Sequence, residues 1–454
     1  MAAPARQLHL NAFLRNIGQH EAAWRLPETR LSGITDIDHY IELAHVAERG
    51  RLDAIFFADH PVLKDKTEFR PFDALDPVTL VTALSGATSR IGLIATASTT
   101  YSDPYSLARR FATLDHVSRG RAGWNVVTTA NGAAAANFGY PAHPDPDDRY
   151  RRADEFLQVT SALWDSWEDD AIVGDKGIDG DAPRFVDPAK IHAINHVGEH
   201  FQVAGPLEVP RSPQGHPVLF QAGSSEPGKD LAARYAEGIF TAQPTLAEAR
   251  EFYRDVKARI RRFGRNPDQV HILPGLSTII GGTEAEARQR QRQLEDLTVP
   301  DYGLEQLSRI VGYAVTKDDL DRRLNFPSDD SAATHLKSRF ALVRRLVETD
   351  GLTVRELLLR LSGGRGHRVF AGTPEQVTDT IVEWFTTGAA DGFNLIPPAL
   401  PSSLTEFVDQ VVPELQRRGL FREDYTGTTL RDHLGIDRPR NRFATGATAV
   451  SAAS

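Results

Sequence analysis

The stretch PVLFQAGSSEPGKDLAARYAEGIFTA, residues 217 to 242, decides the fold. It opens with an apolar run of β-favouring residues and breaks at Gly223. It continues as a segment of helical period over 228 to 237 and closes in a second short apolar run, GIFTA. A strand, a glycine turn and a helix in succession are the signature of a βα unit around a parallel sheet.

The same unit recurs on both sides. Strands are predicted at LHLNAFL (8 to 14), LDAIFFAD (52 to 59), IGLIATAST (91 to 99), AGWNVVTT (122 to 129), PVLFQAG (217 to 223), GIFTA (238 to 242), VHILPGLST (270 to 278) and GFNLIPP (392 to 398). Helical period follows near 36 to 49, 77 to 88, 104 to 117, 147 to 167, 228 to 237, 245 to 262, 284 to 296 and 403 to 418. Eight strands, each paired with a helix, predict an α/β fold of the (β/α)8 TIM-barrel type, with a doubly wound sheet as the alternative. One barrel domain over 1 to 436 then carries insertions at about 170 to 216, where IHAINHVGEHFQVAGPLEVP alternates like a hairpin, and at about 297 to 366, which has a polar helical pattern. The tail from 437 to 454, rich in Ala, Thr and Ser, is expected to be flexible.

Bulk chemistry removes several functions. The 454 residues contain no cysteine, which excludes disulfides, thiolate metal sites and thiol nucleophiles. Lys and Arg number 52 against 61 Asp and Glu, a net charge of -9, so polyanions are repelled and no nucleic-acid partner is expected. The opening MAAPARQLHLNAF lacks the apolar centre of a secretory signal, and no apolar run is long enough to span a bilayer. A cytoplasmic protein without membrane partners is the expectation.

Gly223 to Lys229 spells Gly-x-x-x-x-Gly-Lys, one residue short of a P-loop, because Asp230 stands where Ser or Thr would hold magnesium. Asp230 carries the wrong charge and Pro227 removes an amide, so triphosphate chemistry is not expected. A strand-to-helix turn still attracts an anion through free N–H groups and the helix dipole. Two readings stay open on these residues: Gly223, Ser224 and Ser225 hold one phosphomonoester, or a serine caps an ordinary turn. HVGEH, residues 196 to 200, matches a zinc signature that needs both histidines on one helical face. Gly198 and its β-branched and aromatic neighbours predict extended chain instead, which sets the two imidazoles roughly 13 Å apart. No metal is expected.

The predicted strand ends carry Asp59, Ser98, Thr99 and Asn125, small polar groups that suit a flat heterocycle with carbonyls and ring nitrogens better than acid–base work. Phe13, Phe56 and Phe240 lie near strand ends and read as pocket lining or as core. His20 follows the first strand, His367 sits in GGRGHRVFAGT, and Tyr150 opens a helix in RYRRADEF, where a phenol can reach a phosphate. His116 reads as a buried structural histidine.

Taken together, GQHEAAWR, ERGRLDAIFFAD, ATLDHVSRGRAGWNVVTT, RYRRADEFL, GEHFQVAGPLEVPRSPQGHPVLFQAGSS and AGTPEQVTD resemble the bacterial-luciferase-like flavin monooxygenases, in the branch of nitrilotriacetate and dibenzothiophene-sulfone monooxygenases. The likeness runs from about residue 7 to about 436. It implies a luciferase-like barrel that takes FMNH2 from a separate NAD(P)H-dependent flavin reductase and reacts it with O2. One oxygen atom then passes, by way of a peroxyflavin, into a small sulfur-, nitrogen- or hydrocarbon-containing substrate. By the same resemblance, the QAGSS loop with Gly223, Ser224 and Ser225 holds the FMN phosphate, helped by Tyr150. Asp59, Ser98 or Thr99, and Asn125 then surround the ring. His20 with Phe13, Phe56 and Phe240 lines the substrate pocket, and a homodimer or homotetramer is implied. Ile310 stands where several relatives carry an active-site histidine, and His367 is the candidate substitute. A flavin-binding barrel without turnover and a deazaflavin-dependent hydride-transfer enzyme are the alternatives.

Overall fold

The computed structural model describes residues 6–63, 67–69, 71–177, 182–326, 337–364 and 366–444. In chain order the strands are β1 (His9–Leu14), β2 (Ala54–Phe57), β3 (Gly92–Ser98), β4 (Ala122–Val127), β5 (Ile172–Asp175), β6 (Arg184–Val186), β7 (His196–Val197), β8 (Gln202–Val203), β9 (Val218–Gln221), β10 (Gly238–Thr241), β11 (His271–Ile280), β12 (Arg368–Gly372) and β13 (Gly392–Leu395). The eight predicted strands are β1 to β4, β9 to β11 and β13. They run parallel in the ring order β1-β2-β3-β4-β9-β10-β11-β13, and pairing of β13 with β1 and of β10 with β11 closes the barrel.

Helices cross over outside the ring: α1 (Ile37–Arg49), α2 (Pro77–Ala87), α3 (Pro104–Val117), α4 (Pro146–Trp164), α5 (Glu226–Tyr235), α6 (Leu246–Arg262), α7 (Glu284–Asp296), α8 (Pro300–Val311), α9 (Lys337–Glu348), α10 (Val354–Gly364) and α11 (Pro374–Thr386). Their starts are written locally. Asp76, Asp103 and Asp145 cap α2, α3 and α4 through their carboxylates, and each is followed by a proline whose missing N–H costs nothing there. Strands and helices share one large apolar layer, with Phe111, Trp124, Phe156 and Trp384 among its largest buried side chains. The barrel interior is a second cluster that includes Phe56, Phe220, Phe240, Leu273 and Ile396.

Four features differ from the sequence reading or refine it. A ninth strand, β12, pairs with the outer half of β11, Leu276 to Ile280, beyond the point where β11 leaves the barrel ladder. It is five residues long and only half buried, so it carries no periodic signature. The 170 to 216 segment folds as two small hairpins, β5–β6 and β7–β8. The second insertion holds α8, α9 and α10 around an apolar core of its own, which contains Ile310 with Leu307, Val311, Val343 and Leu357. Its residues 327–336 lie outside the described set.

The tail is anchored over its first residues rather than frayed. The Arg438 guanidinium bonds Asp169, Asn441 Nδ2 donates to the carbonyls of Asp165 and Trp167, and Phe443 stacks on His192 at 4.8 Å. Residues 445–454 lie outside the described set.

The N-terminal end of the barrel is closed by buried charge. Asp53 accepts from His9 Nδ1 at 3.1 Å and from Arg422, which comes in from the C-terminal segment, and the His9 ring meets the His271 ring at 4.1 Å, tilted by 43°. Burial alone would raise the Asp53 carboxyl, but Arg422 and His9 hold it well below the usual range. Such a paired, fully enclosed group holds the fold together at the end of a barrel where active sites are not built. The open, C-terminal ends of the strands form the mouth.

Candidate active site

Between Gln221, the end of β9, and Glu226, the start of α5, the chain reverses in four residues. The turn is so tight that two glycines face each other. A Cβ on Gly223 would lie 2.4 Å from Gln221 Nε2 and 3.2 Å from the Gly228 Cα. One on Gly228 would meet Ser225 Oγ and Tyr150 Oη at 3.0 Å each. The Gly-x-x-x-x-Gly spacing therefore records a close backbone approach within a βα turn.

Around that approach four predicted residues meet. Ser225 caps α5, its Oγ accepting from the Gly228 N–H at 3.2 Å, and the same oxygen lies 3.1 Å from Tyr150 Oη in the first turns of α4. The Gly223 N–H donates to Gln221 Oε1 at 2.9 Å. Ser224 Oγ lies 3.4 Å from Thr241 Oγ1 at the end of β10. Hydroxyls and the positive end of a ten-residue helix thus converge on one corner of the mouth, where an anion is favoured.

Lys229 takes no part. Its Nζ is held by Asp255 at 2.8 Å and by Glu226, while Asp230 pairs with Arg259 at 2.8 Å and Arg262 at 3.0 Å. These ion pairs tie the outer face of α5 to α6, so the P-loop letters have a structural role on the far side of the helix.

A second polar group lies at the ends of β2, β3 and β4. Asp59 and Ser98 line one cleft of about 580 Å³, together with Thr96, Asp73, Asp76 and Tyr101. Burial, and then the nearby Asp76 carboxylate, push the Asp59 carboxyl up to about 6. Asp73 goes the other way: burial opposes its charge, but Arg15 and His60 hold it far below the usual carboxylate range. Asn125 is 4% exposed; its Nδ2 donates to Thr96 Oγ1 at 2.9 Å, and its Oδ1 carries no hydrogen bond among the described residues.

Ser98 Oγ accepts from the Thr100 and Tyr101 N–H groups and from Thr129 Oγ1, so it organises the β3 turn. Thr99 is fully enclosed, and its N–H and hydroxyl both go to the Val127 carbonyl, which joins β3 to β4.

Phe13, Phe56 and Phe240 do come together, with ring centroids 5.1, 5.2 and 5.8 Å apart, and Phe220 backs them at 6.3 Å from Phe56. His367 joins this cluster, stacked on Phe240 at 5.0 Å with the rings 8° from parallel. It can enter because β11 carries Gly275, where a Cβ would lie 2.2 Å from His367 Nδ1. His20 lines a separate cavity of about 320 Å³ beside Ile279 and Gly363, and its Nδ1 accepts from the Ala22 N–H at 3.2 Å. His116 is exposed, against expectation, and its Nε2 lies 2.9 Å from the Pro210 carbonyl oxygen.

Several mouth residues escaped the sequence reading. Thr96 sits two positions before Ser98, so the period of a strand would have found it. Gln221 and Gln243 bond two residues away along the chain, to the Gly223 N–H and to Thr241 Oγ1, and Thr241 reaches Ser224 from the neighbouring strand. HVGEH forms a hairpin, and its anchor is Glu155 on α4, which accepts from His196 Nε2 and from the His200 and Phe201 N–H groups. A Cβ on Gly198 would lie 2.1 Å from Glu155 Oε1, which is why glycine stands there. Asp148, Glu199 and His200 do lie within 4.8 Å of one another, but Arg151 pairs with both carboxylates. Among the described residues no helix is long and apolar enough to cross a membrane.

Comparison with known proteins gives concordant findings. The sequence profile of the luciferase-like monooxygenases matches residues 18–391. The chain is 47% identical to N-acetyl-S-(2-succino)cysteine monooxygenase of Bacillus subtilis (strain 168), over 98% of this chain and 100% of that protein. It is also 47% identical to nitrilotriacetate monooxygenase component A of Aminobacter aminovorans, over 97% of this chain and 98% of that one. Among solved structures, riboflavin lyase with modified FMN and riboflavin superposes with a TM-score of 0.82 at 34% identity, over 95% of this chain and 96% of that one.

Proposed function

Since this chain belongs to the luciferase-like monooxygenase family, we propose that it holds reduced FMN across the barrel mouth and places one oxygen atom from O2 in a small organic molecule. The enzyme is a flavin-dependent monooxygenase of the two-component kind, so its flavin arrives already reduced from a separate NAD(P)H-dependent reductase. The acceptor is a sulfur, nitrogen or hydrocarbon centre.

The observation that carries this reading is the pairing of two half-sites across one mouth. On one side, the glycine approach at Gly223 and Gly228 leaves a cradle that a single Cβ would fill, and the Ser225 and Tyr150 hydroxyls stand beside a helix N-terminus. On the other, the buried Asn125 Oδ1 accepts nothing among the described residues and suits a ring N–H. A mononucleotide with a phosphate at one end and an amide-bearing ring at the other satisfies both. Gly223, Ser224, Ser225 and Tyr150 would hold the phosphate; Asn125 and Asp59 would face the ring edge, with Ser98 keeping their loop in place.

The bound reduced flavin supplies the electrons that activate dioxygen for transfer. The chain's own work is positioning and drying. Phe13, Phe56, Phe220 and Phe240 make one wall apolar, which excludes water from the reacting atoms. His367, stacked on Phe240, brings a ring nitrogen to that wall, where it can hold a polar group of the substrate or move a proton. It stands in for the histidine that the resemblance assigns to the position of Ile310, whose side chain is spent in the core of the second insertion.

Anaerobic titration with reduced FMN, followed by oxygen and stopped-flow absorbance against sulfides, sulfones and tertiary amines, tests the proposal. Saturable binding of reduced FMN and substrate-dependent product formation with a reductase present are expected. A protein that does not bind reduced FMN refutes it.

A further inference from the structure

The odd-numbered residues of β11 climb the inner wall of the barrel. Leu273 packs in the interior with Phe56 and Phe240, Gly275 makes room for His367, and Ser277 follows. Ser277 is 1% exposed, and its hydroxyl has no hydrogen-bond partner among the described residues. Strand alternation carries the same face on to Ile279. Ile279 lies above the ring, in the extension paired with β12, and lines the cavity of about 320 Å³ between α7 and α10 that also contains His20. The aromatic chamber and this cavity therefore sit along one continuous face.

We propose that the cavity receives the remote, non-reacting end of the substrate, and that this end is an apolar body that is neutral or cationic rather than carboxylated. The inference rests on the monooxygenase reading for the existence of a substrate. Its ligand chemistry comes from the lining. The floor is apolar, built from Ile279, Leu294, Leu352, Leu359 and Val369. Three carboxylates, Glu295, Asp350 and Glu356, stand around it against one guanidinium, Arg360.

Among the described residues, the hydrogen bonds to two of those carboxylates come from neutral donors: Glu295 accepts from the Gln291 amide at 2.9 Å, and Glu356 accepts from the N–H and hydroxyl of Thr353 at 2.9 Å each, with the Arg323 charge acting on Glu356 from nearby. An aliphatic or aromatic body gains by covering the floor. A carboxylated one gives up hydration to face like charge, and so is selected against. The volume is at the lower end of the roughly 300–1,000 Å³ of small-molecule sites, which suits a single ring or a short chain. Nitrilotriacetate and N-acetyl-S-(2-succino)cysteine, for which two relatives are named, are both tricarboxylates. The cavity points to a different class for this chain.

Calorimetry with three matched probes tests this on the full-length protein, with and without FMN: 4-(methylthio)benzylamine, 4-(methylthio)benzyl alcohol and 4-(methylthio)benzoate. The amine and the alcohol are expected to bind at least about tenfold more tightly than the benzoate. In the double variant Glu295→Lys with Glu356→Lys, the amine-to-benzoate affinity ratio should fall by about tenfold or more. Leu359→Trp should weaken the amine and the alcohol alike by filling the floor.

Equal binding of all three probes, binding of none, or a charge reversal that leaves the ratio unchanged overturns the proposal. The wild-type ranking decides alone if a variant does not fold. FMN affinity is measured on the same samples. Loss of flavin binding in the wild type would sink the monooxygenase reading, while the probe ranking still reads the cavity.

Discussion

Replacing Gly228 by alanine should separate flavin affinity from stability. Gly228 is the third residue of α5 and its backbone is helical, so alanine is tolerated there and favours the helix by about 0.5–1 kcal/mol. The added methyl, however, would stand 3.0 Å from both Ser225 Oγ and Tyr150 Oη and 3.2 Å from the Gly223 Cα. These separations are a few tenths of an ångström below comfortable contact, and the glycine backbone opposite has no flexible end to move. The two hydroxyls must part.

A hydrogen bond to a charged group contributes about 1.5–3 kcal/mol, so losing one phosphate contact should weaken FMN binding about ten- to hundredfold. FMN fluorescence titration beside thermal unfolding reads both quantities. The expected result is an unfolding midpoint that is unchanged or higher, together with a dissociation constant raised ten- to hundredfold. An unaltered FMN affinity would mean that the corner holds no phosphate, and the reasoning from the glycine pair fails.

Lys229→Ala should leave FMN binding within about twofold, since its ammonium serves ion pairs with Asp255 and Glu226 on the outer face of α5; a large loss would revive the P-loop reading. Asn125→Ala should weaken FMN by about 1 kcal/mol, one neutral hydrogen bond, in the same titration. Asp59 has a folded-state pKa of about 6, above its unfolded value, so its ionisation opposes folding as pH rises through that window and costs nothing below about 4. Asp59→Asn should therefore raise stability at pH 7 to 8, by at most about 3 kcal/mol at 1.36 kcal/mol per unit, and leave it unchanged near pH 4; urea midpoints at the two pH values check this. Asp53→Leu strands the Arg422 charge in the floor of the barrel and should cost about 3–5 kcal/mol in the same urea experiment, while the folded fraction keeps its FMN affinity.

Much of the scaffold was readable in one dimension because its signals are local. Apolar runs that alternate with segments of helical period placed all eight barrel strands, and the helices expected near 77, 104 and 147 begin at Pro77, Pro104 and Pro146, each capped by the preceding aspartate. Gly223, Ser224 and Ser225 were legible as one turn, because a βα turn puts its own residues at a helix N-terminus whatever surrounds it; Tyr150, on α4, was joined to them only by the family resemblance. β12 was not: a half-buried strand of five residues draws its order from β11, more than eighty positions earlier in the chain, and leaves no period behind.

What the chain determined by itself is which residues share a face and where each element starts, since both follow from the 2.0 and 3.6 periods and from capping chemistry. Which partner lies across from a given face was decided only by the closed barrel. That contact turned Thr99 into the β3–β4 joint, sent Lys229 outward to Asp255, buried Ile310 in the second insertion, and let His367 past Gly275 onto Phe240. Side chains distant in sequence meet through ring closure and packing, and neither leaves a trace in the spacing of the residues concerned.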